Sequence, residues 1–514
     1  MDDHRPPETR PSQPHEASLR YVVDALGALG QAAELRAGGS ADGSVTGICI
    51  DSRRVRPGDL YAAVPGATVH GARFVPQAAE AGAAAVLTDA DGAPAAAEAG
   101  LPAIVVPSVR RVLGAVSALV YGEPATSMRM IGVTGTQGKT TTTRLLEGAL
   151  TSSGVRSAVI GTVGTRIADR DVKTALTTPE APDLHGLFAV MREREVEVCA
   201  MEVSSHALVM GRVDGVVFDV AVFLNLGRDH LDFHKDVEDY YQAKASLFTA
   251  ERARLGLAFV DDDHGRRLAA EAPIPMRTFA LETDADWRAV DLVQRADGTD
   301  FTVVTPAGDR VSAGVPLPGD FNVVNALAAI AAAAEAGLAP HQVARGIAAG
   351  QGVPGRLEQI DEGQRFEVFV DYAHKPDAVE AVLRTLRPVT AGRLVVVLGA
   401  GGDRDRGKRP LMGGIAADLA DLVIVTDDNP RSEDPAAIRT EILAGATGPA
   451  GVREIGGRRD AIEAALRDAA AGDVVVIAGK GHETGQDVAG VVHPFDDREV
   501  AREVLRALMQ GGGS

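Results

Sequence analysis

The stretch RMIGVTGTQGKTTTTRLLEGAL, residues 129–150, joins an apolar strand-like run to a helical pattern through a glycine-rich turn. Successive backbone N–H groups in such a turn, together with the N-terminus of the following helix, suit a phosphate group. Lys139 would add a positive charge, and the Thr140 hydroxyl would serve as a Mg²⁺ ligand. Val133 stands where the general P-loop pattern has its first glycine, so a chance glycine turn is the alternative. The stretch predicts a nucleotide-phosphate site between a strand and a helix.

Length and composition indicate a soluble globular protein of several domains. Hydrophobic residues make up 45% of the 514 residues and charged residues 24%. At roughly 100–200 residues per domain, about three domains are expected. The formal charge of −19 argues against binding nucleic acid or an anionic membrane, since both need a basic face. The two cysteines, Cys49 and Cys199, lie in apolar runs and are expected to be buried, reduced thiols.

The start of the chain and its most apolar segment point to a cytoplasmic protein without membrane insertion. Residues 1–18 are polar and contain prolines, so we expect a disordered leader rather than a signal peptide. The apolar segment 323–339 is interrupted by Asn325 and Glu335, which predicts a packed helix rather than a membrane span.

Patterning divides the rest of the chain into three domains. In residues 19–125, strand-like runs alternate with alanine-rich helical stretches, which predicts an α/β domain. Residues 126–351 contain further apolar strands separated by helical patterns, as in a parallel sheet with crossover helices. The glycine-rich segment 350–358 is a candidate hinge, and residues 352–510 form the third domain.

The third domain contains four strand-like runs, and each ends in a polar or glycine-rich loop. In open α/β sheets, loops at the carboxyl ends of strands form the binding crevice, so ligands are expected there. The runs with their loops are FEVFVDYA (366–373), RLVVVLGAGG (393–402), DLVIVTDDNP (421–430) and DVVVIAGKG (473–481). The second loop lacks the GxGxxG spacing of a dinucleotide-binding turn, which argues against NAD.

The phosphate-loop sequence TGTQGKTTT resembles that of the Mur ligases and their folylpolyglutamate synthetase relatives. The resemblance extends over nearly the whole chain, and it is to the branch of Mur ligases that adds diaminopimelate. The further motifs, all in one order, are DSRRVRPGDLYAAVPG (51–66), HGARF (70–74), TTPE (177–180), EVSSHAL (202–208), NLGRDHLDFH (225–234), YYQAKASLF (240–248), GDFNVVNALAA (319–329), GRLE (355–358), DYAHKPDA (371–378), GGDRDRGKRPLM (401–412), DDNPR (427–431) and GKGHE (479–483).

The resemblance implies a three-domain α/β architecture, with a central P-loop-type parallel-sheet ATPase domain and a Rossmann-like C-terminal domain. It also implies an ATP-dependent ligase of cytoplasmic peptidoglycan synthesis that forms ADP and phosphate. Such an enzyme adds meso-2,6-diaminopimelate to the D-glutamate of UDP-N-acetylmuramoyl-L-alanyl-D-glutamate through an acyl phosphate. We expect no nucleic-acid partner and a monomer.

The resemblance further implies that ATP and Mg²⁺ bind at the phosphate loop. Thr140 and Glu202 would hold one Mg²⁺, and Glu202 would share a second with His230 and Lys244. Because an ammonium group has no lone pair, Lys244 would carry CO₂ as a carbamate, N6-carboxylysine. The implied catalytic residues are Lys139, Glu202, His230 and Lys244. The implied ATP-binding residues are Gly135, Thr136, Gln137, Gly138, Lys139, Thr140, Thr141, Asn325, Arg356 and Asp371, of which the last two would close over the nucleotide from the third domain.

Taken alone, several of these residues have simpler interpretations. Lys244 could be a solvated helix lysine, and Asn325 a residue on a helix surface. His230 and His234 are four residues apart, as on one face of a helix, and this spacing is compatible with a zinc site. No HExxH glutamate lies between them, so a structural or Mg²⁺-associated histidine is favoured. The role of His206 stays open.

For the UDP-sugar substrate, the resemblance implies binding by the first two domains. Leu176 and Met210 depart from the asparagine and glutamine that the family often has, which puts two polar contacts in doubt. Gln137 replaces the usual asparagine of the phosphate loop and keeps an amide there. The implied binding residues are Ile50, Ser52, Ala67, Thr68, Val69, Thr177, Thr178, Ser204 and Arg212.

For the amino acid, the resemblance implies a pocket in the third domain. The Arg431 guanidinium suits the distal carboxylate, which diaminopimelate has and lysine lacks, and Glu483 would take the distal ammonium. The alternative is that Arg431 is a solvated turn residue paired with Glu433 or Asp434. The implied pocket residues are Arg404, Asp428, Asn429, Pro430, Arg431, Gly479 and Glu483.

The sequence also allows two other functions. A related ligase could add another amino acid, as the lysine-adding Mur ligases and the folylpolyglutamate synthetases do. The chain could also be a nucleotide-dependent binding protein that has lost catalysis. The presence of Lys139, Glu202, His230 and Lys244 argues against that loss.

Overall fold

The computed structural model describes residues 9–36, 43–66, 68–174, 176–231, 233–295 and 297–511. The chain divides into two compact units. The first unit comprises the described residues of Met1–Ala289, Val303–Val311 and Val324–Gly346. The second comprises those of Val290–Thr302, Ser312–Val323 and Ile347–Ser514.

The first unit begins with a five-stranded sheet. Its strands are in the order β2-β7-β6-β5-β4, with β4 to β7 parallel and β2 antiparallel at the edge. The short strands β1 and β3 pair separately. The strands are β1 (Ala17–Ser18), β2 (Glu34–Arg36), β3 (Ser44–Val45), β4 (Gly47–Cys49), β5 (Asp59–Ala62), β6 (Ala85–Thr88) and β7 (Ala103–Val105), and the helices are α1 (Leu19–Ala28), α2 (Val75–Glu80), α3 (Ala93–Glu98) and α4 (Val109–Val120).

The central sheet of the first unit is mainly parallel. Strands run in the order β11-β10-β9-β12-β8-β13-β14-β15-β16. In this spatial order, each neighbouring pair from β9 onward is parallel. The strands here and after are β8 (Arg129–Thr134), β9 (Ser157–Ile160), β10 (Thr165–Ile167), β11 (Arg170–Val172), β12 (Val198–Glu202), β13 (Phe218–Phe223), β14 (Ala253–Phe259), β15 (Met276–Ala280), β16 (Trp287–Arg295), β17 (Gly298–Val304) and β18 (Arg310–Val315). The helices are α5 (Lys139–Ser152), α6 (Ala181–Glu193), α7 (Ser205–Val209), α8 (Val237–Ala245), α9 (Asp263–Glu271), α10 (Asp320–Glu335) and α11 (Pro340–Ala348).

The second unit contains a six-stranded sheet in the order β19-β20-β24-β21-β22-β23. All its strands are parallel except β19 at the edge, and β25 and β26 form a separate hairpin. The strands are β19 (Glu358–Gln359), β20 (Glu367–Asp371), β21 (Leu394–Leu398), β22 (Leu422–Val425), β23 (Gly451–Glu454), β24 (Val474–Ala478), β25 (Gly485–Val488) and β26 (Val491–Pro494), and the helices are α12 (Pro376–Leu386), α13 (Lys408–Leu419), α14 (Pro435–Gly445), α15 (Arg458–Arg467) and α16 (Asp497–Gly511).

Hydrophobic patterning explains why these sheets form. The inner strands β8, β12, β21 and β24 are continuous apolar runs whose residues are buried almost throughout. Strands covered by helices on both faces require such runs, so the predicted parallel α/β class is confirmed. The three domain boundaries stay a prediction. The apolar segment 323–339 is largely helical, within α10, and Cys49 and Cys199 are free and buried, as expected. No described helix is both long and apolar enough to span a bilayer.

The expected disordered leader does not hold for residues 9–18. Arg10 donates two hydrogen bonds to the buried Asp59 carboxylate, at 2.7 and 2.8 Å. Ser18 caps α1 by accepting from the main-chain N of Tyr21 at 3.1 Å. The Arg10–Asp59 contact joins residues 49 positions apart, and it could not be read from the polar composition of the segment. Residues 1–8 lie outside the described residues.

Candidate active site

The phosphate loop, residues 134–141, joins the inner strand β8 to helix α5. Gly135 and Gly138 have φ angles of 153° and 86°, and Gly138 directly precedes the first helical residue. A Cβ atom at position 138 would lie 2.3 Å from Oδ1 of Asn325. Glycine is therefore required at 138 both by the left-handed backbone and by the close Asn325 side chain. The interpretation of Asn325 as a residue on a helix surface is wrong, because its side chain is buried here.

Two lysine side chains meet at the carbonyl oxygen of Gly135. Lys139 Nζ donates to this oxygen at 2.7 Å and to that of Thr136 at 3.1 Å. Lys244, from α8, donates to the same Gly135 oxygen at 2.9 Å and lies 4.6 Å from the centroid of the Tyr240 ring. Lys244 is 1% exposed, so the alternative of a solvated helix lysine is wrong. Burial raises the pKa of the Tyr240 hydroxyl, which stays neutral beside these lysines.

Glu202, the last residue of β12, is buried against the first turn of α5. Its Oε1 accepts hydrogen bonds from the Thr140 hydroxyl and from the main-chain N of Thr162, each at 2.8 Å. Its Oε2 accepts from the Thr162 hydroxyl at 3.1 Å. Mg²⁺ at nucleotide sites takes oxygen ligands, with one or two from the protein and the rest from phosphates and water. The Thr140 hydroxyl and the Glu202 carboxylate fit that requirement.

Asn225, which follows β13, supports the phosphate loop from the other side. Its Oδ1 accepts from the main-chain N of Thr136 at 3.1 Å and of Gln137 at 2.9 Å, and its Nδ2 donates to the Gln137 carbonyl at 3.3 Å. The Thr136 hydroxyl accepts from the N of Gly227 at 2.9 Å. One amide side chain therefore holds two consecutive residues of the loop.

The described residues of 227–236 form a loop, so the expected helix carrying His230 and His234 is wrong. His230 has a φ of 53°, which a right-handed helix does not allow, and α8 starts only at Val237 after the Asp236 cap. The His230 side chain is 40% exposed, and its Nε2 lies 3.2 Å from Oδ2 of Asp229. It faces the same region as His206, whose ring lies edge-on at 4.8 Å between centroids.

His234 and His206 have different surroundings in this cluster. His234 is buried, with Nδ1 at 3.1 Å from Oδ2 of Asp239 and Nε2 at 2.9 Å from Oγ of Ser205. It therefore links α7 to α8 as a structural residue. His206 stacks on the ring of Phe233, with 4.0 Å between centroids.

Four residues expected to bind the muramoyl-peptide lie around the end of β12: Thr177, Thr178, Ser204 and Arg212. The Thr178 hydroxyl donates to the main-chain oxygen of Glu202 at 2.8 Å. Arg212 donates to the Thr178 carbonyl at 3.3 Å and to Glu180 at 2.8 Å. Arg110 donates to the other oxygen of Glu180 at 2.8 Å, which leaves two guanidinium groups beside one carboxylate. Leu176 is 41% exposed, and the doubt about a polar substrate contact there stays a prediction.

The residues expected to bind the uridine end follow β4 and β5 of the first sheet. The Ser52 hydroxyl donates to Oε1 of Gln77 at 2.7 Å and is largely buried, while Ile50 packs partly buried against the core. Gly66 and Val69 close a tight turn, in which Gly66 N donates to the Val69 carbonyl at 3.0 Å. Thr68 in this turn is exposed. Ala67 lies outside the described residues.

In the second unit, Asp371 ends β20 and Arg356 lies on the chain segment beside it. Asp371 accepts from the main-chain N of Leu357 and of Ala373, each at 2.7 Å. Burial raises the pKa of the Asp371 carboxyl, while the Arg356 charge acts in the opposite direction. The Arg356 guanidinium lies over the Tyr372 ring, 4.5 Å from its centroid. The carboxylate therefore holds the backbone that carries Arg356.

The expected amino-acid pocket lies at the carboxyl ends of β24, β21 and β22, which are adjacent strands. Asn429 Nδ2 donates to Oε2 of Glu483 at 2.9 Å, so residues of two loops meet. Gly479 has a φ of 122°, which favours glycine, and a Cβ atom there would lie 2.5 Å from Oδ2 of Asp428. Arg404, on the loop after β21, is exposed. Pro430 is buried next to Asn429 and leads into Arg431.

The pairing of Arg431 with Glu433 or Asp434 is wrong. Glu433 accepts from the buried Arg409 at 2.8 and 3.0 Å, and Asp434 caps α14. The Arg431 side chain donates to the Gly402 carbonyl at 2.6 Å. Its backbone has a φ of 51° and bonds to the β25–β26 hairpin, with N to the Asp487 oxygen at 3.0 Å.

Four residues that were not predicted as site residues contact the phosphate loop, its Glu202 neighbour or the expected amino-acid pocket. Thr162 and Asn225 each come just after a buried strand, β9 or β13, and the strand-end rule used for the second unit would have found them. Tyr240 and Lys480 lie inside quoted motifs but carry no local signal of contact with the sites. Only the packing reveals their role.

Comparison with protein-family models gives three matches along the chain. Residues 44–121 match the model described as Mur ligase family, catalytic domain. Residues 133–333 match Mur ligase middle domain, and residues 355–481 match Mur ligase, glutamate ligase domain.

Curated relatives are similar over nearly their full length. A protein of Streptomyces avermitilis named UDP-N-acetylmuramoyl-L-alanyl-D-glutamate–2,6-diaminopimelate ligase is 55% identical over 96% of this chain and 98% of its own. One of Corynebacterium glutamicum with the same name is 49% identical over 95% of this chain and 96% of its own.

Solved structures are similar as well. One titled as a UDP-N-acetylmuramoyl-L-alanyl-D-glutamate–2,6-diaminopimelate ligase has a TM-score of 0.66 and 35% identity, covering 90% of this chain and 95% of that one. The MurF ligase of Thermotoga maritima in complex with ADP has a TM-score of 0.58 and 19% identity, covering 90% and 97%. This second likeness concerns the fold alone.

Proposed function

This chain belongs to the Mur ligase family, and we propose that it joins meso-2,6-diaminopimelate to UDP-N-acetylmuramoyl-L-alanyl-D-glutamate. It is an ATP-dependent ligase of peptidoglycan precursor synthesis. The proposed mechanism rests on the side chains grouped at the phosphate loop. Lys139, Lys244 and the Thr140–Glu202 pair converge on the phosphate loop, where the terminal phosphates of ATP would bind.

The first step would activate the γ-carboxylate of D-glutamate. A carboxylate does not release oxide to an amine, so its oxygen attacks the γ-phosphate and forms an acyl phosphate with release of ADP. Main-chain N–H groups of the loop and the Lys139 ammonium would bind the phosphates. Thr178, Ser204 and Arg212 would hold the peptide so that its carboxylate is in line for attack.

Thr140 and Glu202 would hold the Mg²⁺ that accompanies ATP. Such an ion, when bound, neutralises charge on the phosphates. The protein contributes a hydroxyl and a carboxylate already 2.8 Å apart. His230, which is 40% exposed, would serve a second ion beside them.

Lys244 would act as a carbamate. Two ammonium groups that donate to one carbonyl oxygen lie within about 6 Å of each other, where like charges oppose each other. Addition of CO₂ to the neutral Lys244 amine, with loss of one proton, replaces one positive charge by a carboxylate. The product has oxygen ligands that an ammonium lacks.

The second step would form the amide. The free amine of diaminopimelate attacks the acyl carbon, phosphate leaves, and the nitrogen loses a proton. Arg431 would bind the distal carboxylate through its guanidinium, and Glu483 the distal ammonium. We further propose that the reaction takes place in the cytoplasm, a reducing compartment that supplies ATP and in which the free thiols Cys49 and Cys199 stay reduced.

Phosphate release tests this proposal. Purified protein receives ATP, Mg²⁺ and the UDP-muramoyl-dipeptide, with diaminopimelate, with lysine or with no amino acid. We expect sustained phosphate release only with diaminopimelate. Equal release with lysine and with diaminopimelate would refute the selectivity for diaminopimelate, and release with lysine alone would assign the chain to the lysine-adding reaction. No release in any arm would indicate a binding protein.

A further inference from the structure

The loop GKGHE buries a lysine that the proposed mechanism does not use. The Lys480 side chain is fully buried, and its Nζ donates to Oδ1 of Asn429 at 3.1 Å, to Oε2 of Glu483 at 3.0 Å and to the Gly485 carbonyl at 2.6 Å. An ammonium group has three N–H donors, so these bonds use all of them. Lys480 therefore acts on a ligand only through the groups that it holds.

The bonds from Lys480 orient the Asn429 side chain. Oδ1 of Asn429 accepts from Lys480 and from the main-chain N of Asp487 at 3.0 Å. Its Nδ2 consequently faces Glu483 and donates to Oε2 at 2.9 Å. The amide cannot be reversed without placing its NH₂ group against the Lys480 ammonium and the Asp487 N–H.

The same lysine orients Glu483. Oε2 of Glu483 accepts from both Lys480 and Asn429, which restricts rotation of the carboxylate. The Glu483 side chain is nevertheless 32% exposed, so the carboxylate remains within reach of a ligand. A buried cation thus holds a partly exposed anion in one orientation, between the loops at the ends of β22 and β24.

We propose that Lys480 is a positioning residue for the distal end of the amino-acid substrate. It holds Glu483 and Asn429 where they meet the distal ammonium of diaminopimelate. The inference rests on the proposed function, in which Glu483 takes that ammonium. Beyond that function, Lys480 already holds Glu483 in the orientation for this contact before the substrate binds.

Replacement of Lys480 by methionine tests the inference. Lys480→Met keeps the length of the side chain but removes its charge and its three donors. The KM for diaminopimelate is expected to rise about 10–100-fold, while the KM for ATP changes by less than about twofold. Arg467→Met is the matched control, because this exposed cation of the same unit pairs with Glu463 and, within the described part of the chain, with no other acidic residue; it should leave both values unchanged. Equal rises in both KM values would indicate a structural role and overturn the proposal.

A double-mutant cycle shows whether Lys480 acts through Glu483. The KM for diaminopimelate is measured for Lys480→Met, Glu483→Gln and the double variant. If the lysine acts through the carboxylate, the double variant should be within about threefold of Glu483→Gln alone. Multiplication of the two single effects would overturn the proposal.

If the Lys480→Met variant does not unfold cooperatively, and so is not properly folded, Lys480→Arg tests the inference in its place. Arginine keeps the charge, but its planar fork does not match three acceptors arranged around one nitrogen. A raised KM for diaminopimelate with normal KM for ATP supports the proposal, and a wild-type KM overturns it. Failure of the wild type to release phosphate with diaminopimelate would instead refute the proposed function.

Discussion

The phosphate loop of the first unit and the amino-acid loop at residues 428–431 of the second both follow a buried parallel strand. They differ in the sequence distance of the contacts on which the two named side chains, Lys139 and Asn429, depend. Lys139 bonds to residues three and four positions before it, and glycine φ angles shape the turn. Asn429 instead bonds to residues 51, 54 and 58 positions later in the chain. A short motif therefore describes the first loop far better than the second.

This difference fits the groups that we propose each loop to bind. Phosphate is bound largely by consecutive main-chain N–H groups, whose directions depend on local φ and ψ angles. A distal carboxylate and ammonium need side chains from separate loops, and their directions depend on contacts between those loops. Changes in the first loop should therefore affect turnover, and changes in the second mainly the choice of amino acid.

The largest effect is expected for Lys139→Ala. Loss of the positive charge beside the phosphates should lower kcat by at least about 1000-fold in a site with little water. Phosphate release at saturating substrates measures this. Lys173→Ala, which removes an exposed lysine of the same unit, is the control and should keep wild-type turnover. Normal release by Lys139→Ala would remove the phosphate-loop assignment.

The next largest effect is expected for Lys244→Ala, with a loss of activity of about 100–1000-fold, because the proposed carbamate ligand of a second Mg²⁺ would be lost. Added acetate or another short carboxylate should restore part of the activity. Wild-type protein in ¹³C-labelled bicarbonate should show a carbamate carbon signal by NMR that Lys244→Ala lacks. Near-normal activity of Lys244→Arg would contradict the carbamate, because a guanidinium neither carries CO₂ in this way nor binds Mg²⁺.

For the second loop, Arg431→Ala should raise the KM for diaminopimelate about 10–100-fold, as expected for one lost charge-assisted pair. The KM for ATP should stay unchanged. Arg406→Ala is the control, because this exposed arginine pairs with Glu441 on the neighbouring helix. If Arg431→Ala leaves the preference for diaminopimelate over lysine intact, the arginine does not select the amino acid.

The smallest effect is expected for Asn225→Ala, which tests whether the geometry of the phosphate loop depends on a residue distant in sequence. Asn225→Ala removes two acceptor contacts and one donor contact with the loop and should raise the KM for ATP about tenfold. Gln242→Ala, which removes an exposed amide bonded to Glu238, serves as the control. An unchanged KM for ATP would show that the loop keeps its geometry without the Asn225 contacts.

The sequence by itself determined the α/β class, the inner parallel strands and the position of the phosphate loop. Continuous apolar runs such as β8 and β24 can be buried only inside a covered sheet, and a glycine turn before a helix is defined by neighbouring residues. The strand-end rule likewise indicated the loops of the second unit, because parallel strands end at one edge.

Only the tertiary structure decided how the remaining side chains are used. Lys244 is buried rather than solvated, His230 lies in a left-handed loop rather than a helix, and Arg431 bonds to a hairpin rather than to nearby acidic residues. These outcomes depend on partners distant in the chain. Strand β24 lies between β20 and β21, so residues 479–487 reach the loop after β22 through sheet order, which local patterns do not encode.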